Sequence, residues 1–119
     1  MTANSVLKNM FKLSQRITVY IPATINIDQE IDNTEYVNRA ATLLSECFGG
    51  ATSCQAIGYW VSPEAGLVKE NTTQVFAYAA DEDLKKHLDK VVNFCMEIKE
   101  ELKQDAVALE LNNEMFFIE

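Results

Sequence analysis

Residues 34–79, TEYVNRAATLLSECFGGATSCQAIGYWVSPEAGLVKENTTQVFAYA, carry a helix, a stop and a hairpin in succession, and that order decides the fold. Tyr36, Val37, Ala40, Ala41, Leu44, Cys47 and Phe48 recur at helical spacing on one wide apolar face. Asp32, Asn33 or Thr34 stands where a cap for a helix over 34–48 is needed. Gly49-Gly50 supplies the stop, because the residue after a helix takes positive φ and glycine does so without strain. Ala51 to Val61 and Leu67 to Ala79 then read as two strands, joined by Ser62-Pro63-Glu64-Ala65-Gly66 as a hairpin loop.

Working outward, Arg16 to Ile21 is a β-rich run stopped by Pro22, and residues 22–33 read as a loop. Val6, Leu7, Met10 and Phe11 predict a short helix over 3–13, an appendage to the rest. Downstream, Asp81 is placed to cap a helix reaching about Gln104, in which Leu84, Leu88, Val91, Cys95, Ile98 and Leu102 repeat at helical steps. Val107, Leu109 and Leu111 alternate along a strand over 106–111, Asn112-Asn113 turns the chain, and Met115 to Ile118 returns. The order β-α-β-β-α-β predicts an α+β, ferredoxin-like domain. Its antiparallel sheet would carry two helices on one face, with the N-terminal helix and a C-terminal strand added. A single domain over 1–119, with 1–15 as appendage and 16–119 as core, suits the length.

Composition bounds the function. Eighteen acids against ten basic residues leave a net charge of −8, which opposes direct binding of nucleic acid or anionic lipid and favours a basic partner. No run of apolar residues is long enough to cross a membrane, and the first residues lack a signal-peptide pattern, so a cytoplasmic location is expected. Cys47, Cys54 and Cys95 sit inside apolar patterns without a CxxC pair, as reduced, mostly buried thiols do. With His87 they lack zinc-site spacing, so neither a metal nor a cofactor is expected. His87, the single histidine, falls beside the core stripe of its helix, where an edge-of-core role outweighs that of a general base.

Two constellations stand out. Tyr59-Trp60 and Lys69-Glu70 lie on the two arms of the hairpin, which makes Trp60 and Glu70 cross-strand neighbours and the region the best pocket candidate, with Arg16 or Lys69 available for a ligand's anionic group. Glu97, Glu101 and Asp105 recur every fourth residue on the long helix and stack along one outer edge with no lysine alternating between them there, an arrangement that opposes both the like-charge and the helix-dipole rules. A surface for a basic partner would account for it. A sheet covered on one side would also expose apolar residues among Ile57, Tyr59, Val61, Phe76, Tyr78, Val107 and Leu109, so a homo-oligomer formed through the sheet is expected.

The segments Phe48-Gly49-Gly50-Ala51-Thr52, Gly58-Tyr59-Trp60, Leu67-Val68-Lys69-Glu70 and Gln104-Asp105-Ala106-Val107 resemble a family of small uncharacterised bacterial and phage or mobile-element proteins, over about residues 16–119. The resemblance implies a ferredoxin-like fold and transfers no catalytic residue. No nucleophile elbow, phosphate loop, dinucleotide fingerprint or zinc-protease motif is present. The leading expectation is therefore a non-enzymatic binding protein. It would be a counter-defence, anti-CRISPR-like inhibitor whose Glu97, Glu101 and Asp105 face a basic, nucleic-acid-binding defence protein. The alternative is an oligomeric protein that binds or sequesters a nucleotide signal, or a small enzyme, with its pocket at Trp60 and Glu70.

Overall fold

Apolar periodicity, and the places where it breaks, set the elements of the computed structural model, which describes residues 2–119. Met1, part of the expected appendage, lies outside the described residues. In chain order the elements are α1 (Ala3–Leu7), β1 (Gln15–Pro22), β2 (Thr24–Ile25), β3 (Gln29–Glu30), α2 (Thr34–Phe48), β4 (Thr52–Ser62), β5 (Gly66–Ala79), α3 (Asp81–Glu101), β6 (Val107–Leu111) and β7 (Glu114–Ile118). The fold is α+β, with a five-stranded antiparallel sheet in the order β4-β5-β1-β6-β7 and a separate two-stranded ribbon of β2 and β3.

The core forms where period-two strands meet period-3.6 helices. Ile17, Val19 and Ile21 on β1, Val75 and Ala77 on β5, and Val107 and Leu109 on β6 point to one face of the sheet and are buried. Against them pack Ala40, Leu44, Cys47 and Phe48 of α2 and Leu84, Val91, Cys95 and Ile98 of α3. Gly49 ends α2 with φ +94° while its N–H donates to the Ser45 carbonyl at 2.8 Å, the left-handed stop that the sequence predicts. Burial pushes the Cys95 thiol up to about 12, as for an inert packing group. Cys54, by contrast, is exposed on β4, which corrects the expectation that its thiol is buried.

Several boundaries move for identifiable reasons. The N-terminal helix stops at Leu7, because its apolar residues Val6, Leu7, Met10 and Phe11 remain exposed and no tertiary packing extends it. Within 22–33 the chain builds the β2–β3 ribbon, anchored where the Asn26 N–H donates to the Leu102 carbonyl at 2.8 Å and Gln104 Nε2 donates to the Thr24 carbonyl at 3.0 Å. Asp81 is the first helical residue of α3 rather than its cap, and its carboxylate instead accepts from Gln15 Nε2 at 2.8 Å and Ser14 Oγ at 3.3 Å. Val107 and Leu109 belong to the core and not to an exposed patch.

β5 pairs with β1 only from Thr72 to Ala79, yet it pairs with β4 down to Gly66. The distal half of the β4–β5 hairpin therefore projects past the sheet and past both helices. Ile57, Tyr59, Val61 and Leu67, on the core side by alternation, are exposed there because nothing covers them. Among the described residues, no helix is long and apolar enough to cross a membrane.

Candidate functional site

The projecting hairpin sorts its side chains by parity. Gly58 stands opposite Glu70 and Trp60 opposite Val68, so Trp60 and Glu70 share the face away from the helices and meet diagonally. Trp60 Nε1 donates to Glu70 Oε1 at 3.1 Å, fixing both the indole plane and the carboxylate. Tyr59 and Lys69 stand opposite each other on the other face, with Lys69 Nζ 5.9 Å from the Tyr59 ring centroid. The structure thus joins Trp60 to Glu70 and places the Tyr59–Lys69 ammonium–ring pair behind them.

The β2–β3 ribbon leans toward this hairpin and closes a groove of about 340 Å³. Trp60, Val68, Lys69 and Glu70 form one wall, and Ile27, Asp28, Glu30 and Ile31 form the other. Three acidic residues, Asp28, Glu30 and Glu70, line this groove, and the one basic residue of its wall, Lys69, holds its ammonium over Tyr59 on the other face. Glu70 also lines an adjoining recess of about 250 Å³ that reaches Tyr20, Gly58 and Gln104. Tyr20 donates its hydroxyl to Glu110 Oε1 at 2.9 Å; burial first, and then the Glu110 carboxylate, raise its pKa above the ordinary phenol value. At the lip, Ile27 has φ +74°, a conformation that a β-branched residue adopts at a cost and that concentrates at functional loops. Sequence reasoning missed the ribbon because two-residue strands carry no periodicity, although the acids Asp28 and Glu30 were visible in the loop.

Arg16 lies elsewhere. It pairs in register with Tyr78, eight residues along β5 from Glu70, a separation of roughly 26 Å at strand rise. Its guanidinium stacks 4.2 Å from the Phe76 centroid and 5.6 Å from that of Tyr78. It is therefore corrected from a pocket residue to a cation held on the open face of the sheet.

The acidic rail on α3 is corrected as well. Arg39 of α2 donates to Glu101 through both terminal nitrogens, at 3.1 and 3.0 Å, and lies 3.7 Å from Glu97. α3 ends at Glu101, so Asp105 falls beyond the helix and out of line with the others. Two of the three carboxylates are thus already engaged by a cation within the chain. The Arg39 guanidinium holds the Glu101 carboxyl below its usual range. A pKa depressed in the folded state stabilises above the unfolded value, and that gain is lost as pH falls through the folded value. Replacing Arg39 by Met is expected to cost at most about 1 kcal/mol at pH 7, since the pair is partly exposed. The difference should shrink at an acid pH below the ordinary carboxylate value, where Glu101 becomes protonated in the folded state as well. Urea midpoints at the two pH values check this, and a loss that persists at low pH would assign the effect to Arg39 stacking on Tyr36 and Phe94.

Cys47 and Cys95 are buried, and His87 meets the edge of Phe48 with centroids 6.2 Å apart, at the margin of the core. Among the described residues, no group of three or more His, Cys, Asp or Glu side chains is placed to hold a metal ion.

No family model matches the chain, and no curated protein matches it. Solved structures do. A phage SAM lyase in complex with S-methyl-5'-thioadenosine aligns over 92% of this chain and 94% of its own, at 18% identity and a TM-score of 0.64. The same enzyme in its apo state aligns over the same shares, at 19% identity and a TM-score of 0.63. A Bacillus cereus protein related to NIF3 aligns over 88% of this chain and 26% of its own, at 12% identity and a TM-score of 0.53. The expectation of a non-enzymatic, anti-CRISPR-like inhibitor is corrected on two grounds: its acidic rail is engaged by Arg39, and solved structures that match its fold over nearly their full length are of an enzyme. Of the resemblance to small phage proteins, only the link to a phage protein is matched, through a fold shared with a phage SAM lyase.

Proposed function

We propose that this protein is a small-molecule enzyme that binds an adenosyl sulfonium in the groove between Trp60 and the β2–β3 ribbon and cleaves it. The observation that carries the reading is the groove itself, in which an indole is hydrogen-bonded to Glu70 and two further carboxylates face the same space. A purine needs a flat apolar surface to stack on, and Trp60 supplies one at the groove wall. A sulfonium carries a positive charge that no hydrogen bond can satisfy, so carboxylates are its natural neighbours, and Asp28, Glu30 and Glu70 provide them. Lys69, the one basic residue lining the groove, takes the ligand's own carboxylate by swinging its ammonium away from the Tyr59 ring. The adjoining recess brings the two volumes into the range that adenosine-sized ligands occupy.

The fold match supports the same chemistry, since that lyase was captured with S-methyl-5'-thioadenosine. This thioether is what remains of an adenosyl sulfonium when one C–S bond breaks and sulfur keeps the electron pair. The departing carbon chain balances the step by closing on its own carboxylate or by losing a proton, and neither route consumes an oxidant. We also read the strands β4-β5-β1-β6, bridged by α2 and α3, as the ferredoxin-like core, with β7 as an added edge.

Incubating the purified protein with SAM should release S-methyl-5'-thioadenosine, detected by liquid chromatography and mass spectrometry. The thioether alone should quench Trp60 fluorescence, and Trp60→Ala should weaken its binding about tenfold, measured by calorimetry. Trp60 is the only tryptophan of the chain, so the optical signal reports this wall alone. Intact SAM after prolonged incubation with protein that binds the thioether would overturn the enzymatic half of the proposal; undiminished binding by Trp60→Ala would overturn the site.

A further inference from the structure

The sheet ends in two very different edges. β4, on one side, is eleven residues long and contains no charged residue and no proline. β7, on the other, is five residues long, with Glu114 as its single charge. Natural proteins protect an outer strand with charge, proline, bulges or brevity, because its unpaired N–H and C=O groups template another strand. β4 has none of these protections. Both edges also carry large apolar side chains: Ile57, Tyr59, Trp60 and Val61 on β4 and Met115, Phe116 and Phe117 on β7 are 43 to 73% exposed.

We propose that copies of this chain associate edge to edge in a closed ring, β4 of one copy against β7 of the next. Charge selects a second copy as the occupant. In a chain of net −8, two copies repel on average, and a neutral contact surface adds nothing to that repulsion; these two edges together hold one charged side chain. A basic partner would be drawn to the acids elsewhere and not to these strands. Symmetry then selects the pairing. Joining β4 to β4 leaves the phenylalanines of both β7 strands in water, and joining β7 to β7 leaves both long β4 edges open. Head-to-tail pairing places a strand on both edges in every copy, the five residues of β7 along part of β4, and it terminates only by closing. The inherited twist of the strands turns successive sheets away from a flat filament. This inference goes beyond the ligand reading and does not depend on it.

Native mass spectrometry and sedimentation velocity on the full chain, with no ligand added, test it. The wild type is expected to be an oligomer, and Ile57→Glu on β4 and Phe117→Glu on β7 are each expected to be monomeric. Both positions are exposed within one copy, so far-UV circular dichroism should be unchanged; Val61→Glu and Met115→Glu form a second pair should either of the first fail to fold. The decisive sample is the mixture. Ile57→Glu keeps an intact β7 and Phe117→Glu an intact β4, so together they form one good junction and a 1:1 pair at about 0.1 mM, without the avidity of a closed ring. A monomeric wild type, a single variant that still assembles, or a mixture that stays monomeric would each overturn the proposal.

Discussion

Replacing Glu70 by Gln is expected to lower kcat/KM for SAM by roughly ten- to a hundredfold, with most of the loss in KM. The sign follows from where charge resides along the reaction. A sulfonium is fully positive when it binds and becomes a neutral thioether as its C–S bond breaks, so a neighbouring carboxylate favours the bound substrate at least as much as the transition state. Removing that charge weakens substrate binding first. One unit charge a few ångströms away is worth about 4 kcal/mol at an effective dielectric constant of 20, and an exposed groove reduces this to about 1–3 kcal/mol. Glutamine keeps an acceptor oxygen for Trp60 Nε1, so the indole stays in place and the change reports on charge alone. Steady-state kinetics decide the matter. A collapse of kcat with KM unchanged would make Glu70 a proton acceptor, and unchanged kcat/KM would remove it from the site.

How far the sequence led can be judged residue by residue. α2 was readable to its last residue, because one apolar stripe, one glycine pair and one hairpin follow in order and every local preference agrees with the packing. The meeting of Trp60 and Glu70 was also readable, since the Pro63–Gly66 turn fixes the register of the two arms. Parity, carried one step further, places Tyr59 and Lys69 on the opposite face, a distinction that a pocket drawn from adjacent residues ignored. The fate of the α3 acids was hidden by distance. Arg39 lies 62 residues before Glu101 in sequence and reaches it only because α2 and α3 pack side by side. The wall bearing Asp28 and Glu30 was equally hidden, for the ribbon that presents it is held by Gln104 and the Leu102 carbonyl from the far end of the chain. Local pattern therefore gave the core and half of the groove, whereas long-range polar contacts supplied the other half and cancelled the acidic surface.

The same logic predicts a sharp contrast between two adjacent leucines of α2. Leu44 is fully buried, on the stripe that seats α2 on the sheet and against α3, whereas Leu43 lies at the edge of that stripe and lines an open groove of the helical face. Truncation of Leu44 to Ala removes methyl and methylene groups from a site with no route to solvent, leaving a cavity whose lining loses its contacts. The expected cost is about 2–5 kcal/mol, a large part of the total stability of a domain of this size. On the melting curve this corresponds to a fall of roughly 8–20 °C. Leu43→Ala should cost less than about 1.5 kcal/mol, because water and flexible neighbours fill the space and much of the side chain's transfer energy was never gained. Urea melts of both variants, at one protein concentration, make the comparison. Equal losses would mean that α2 is seated differently on the sheet, and with it the anchor from which β4, β5 and the groove are built.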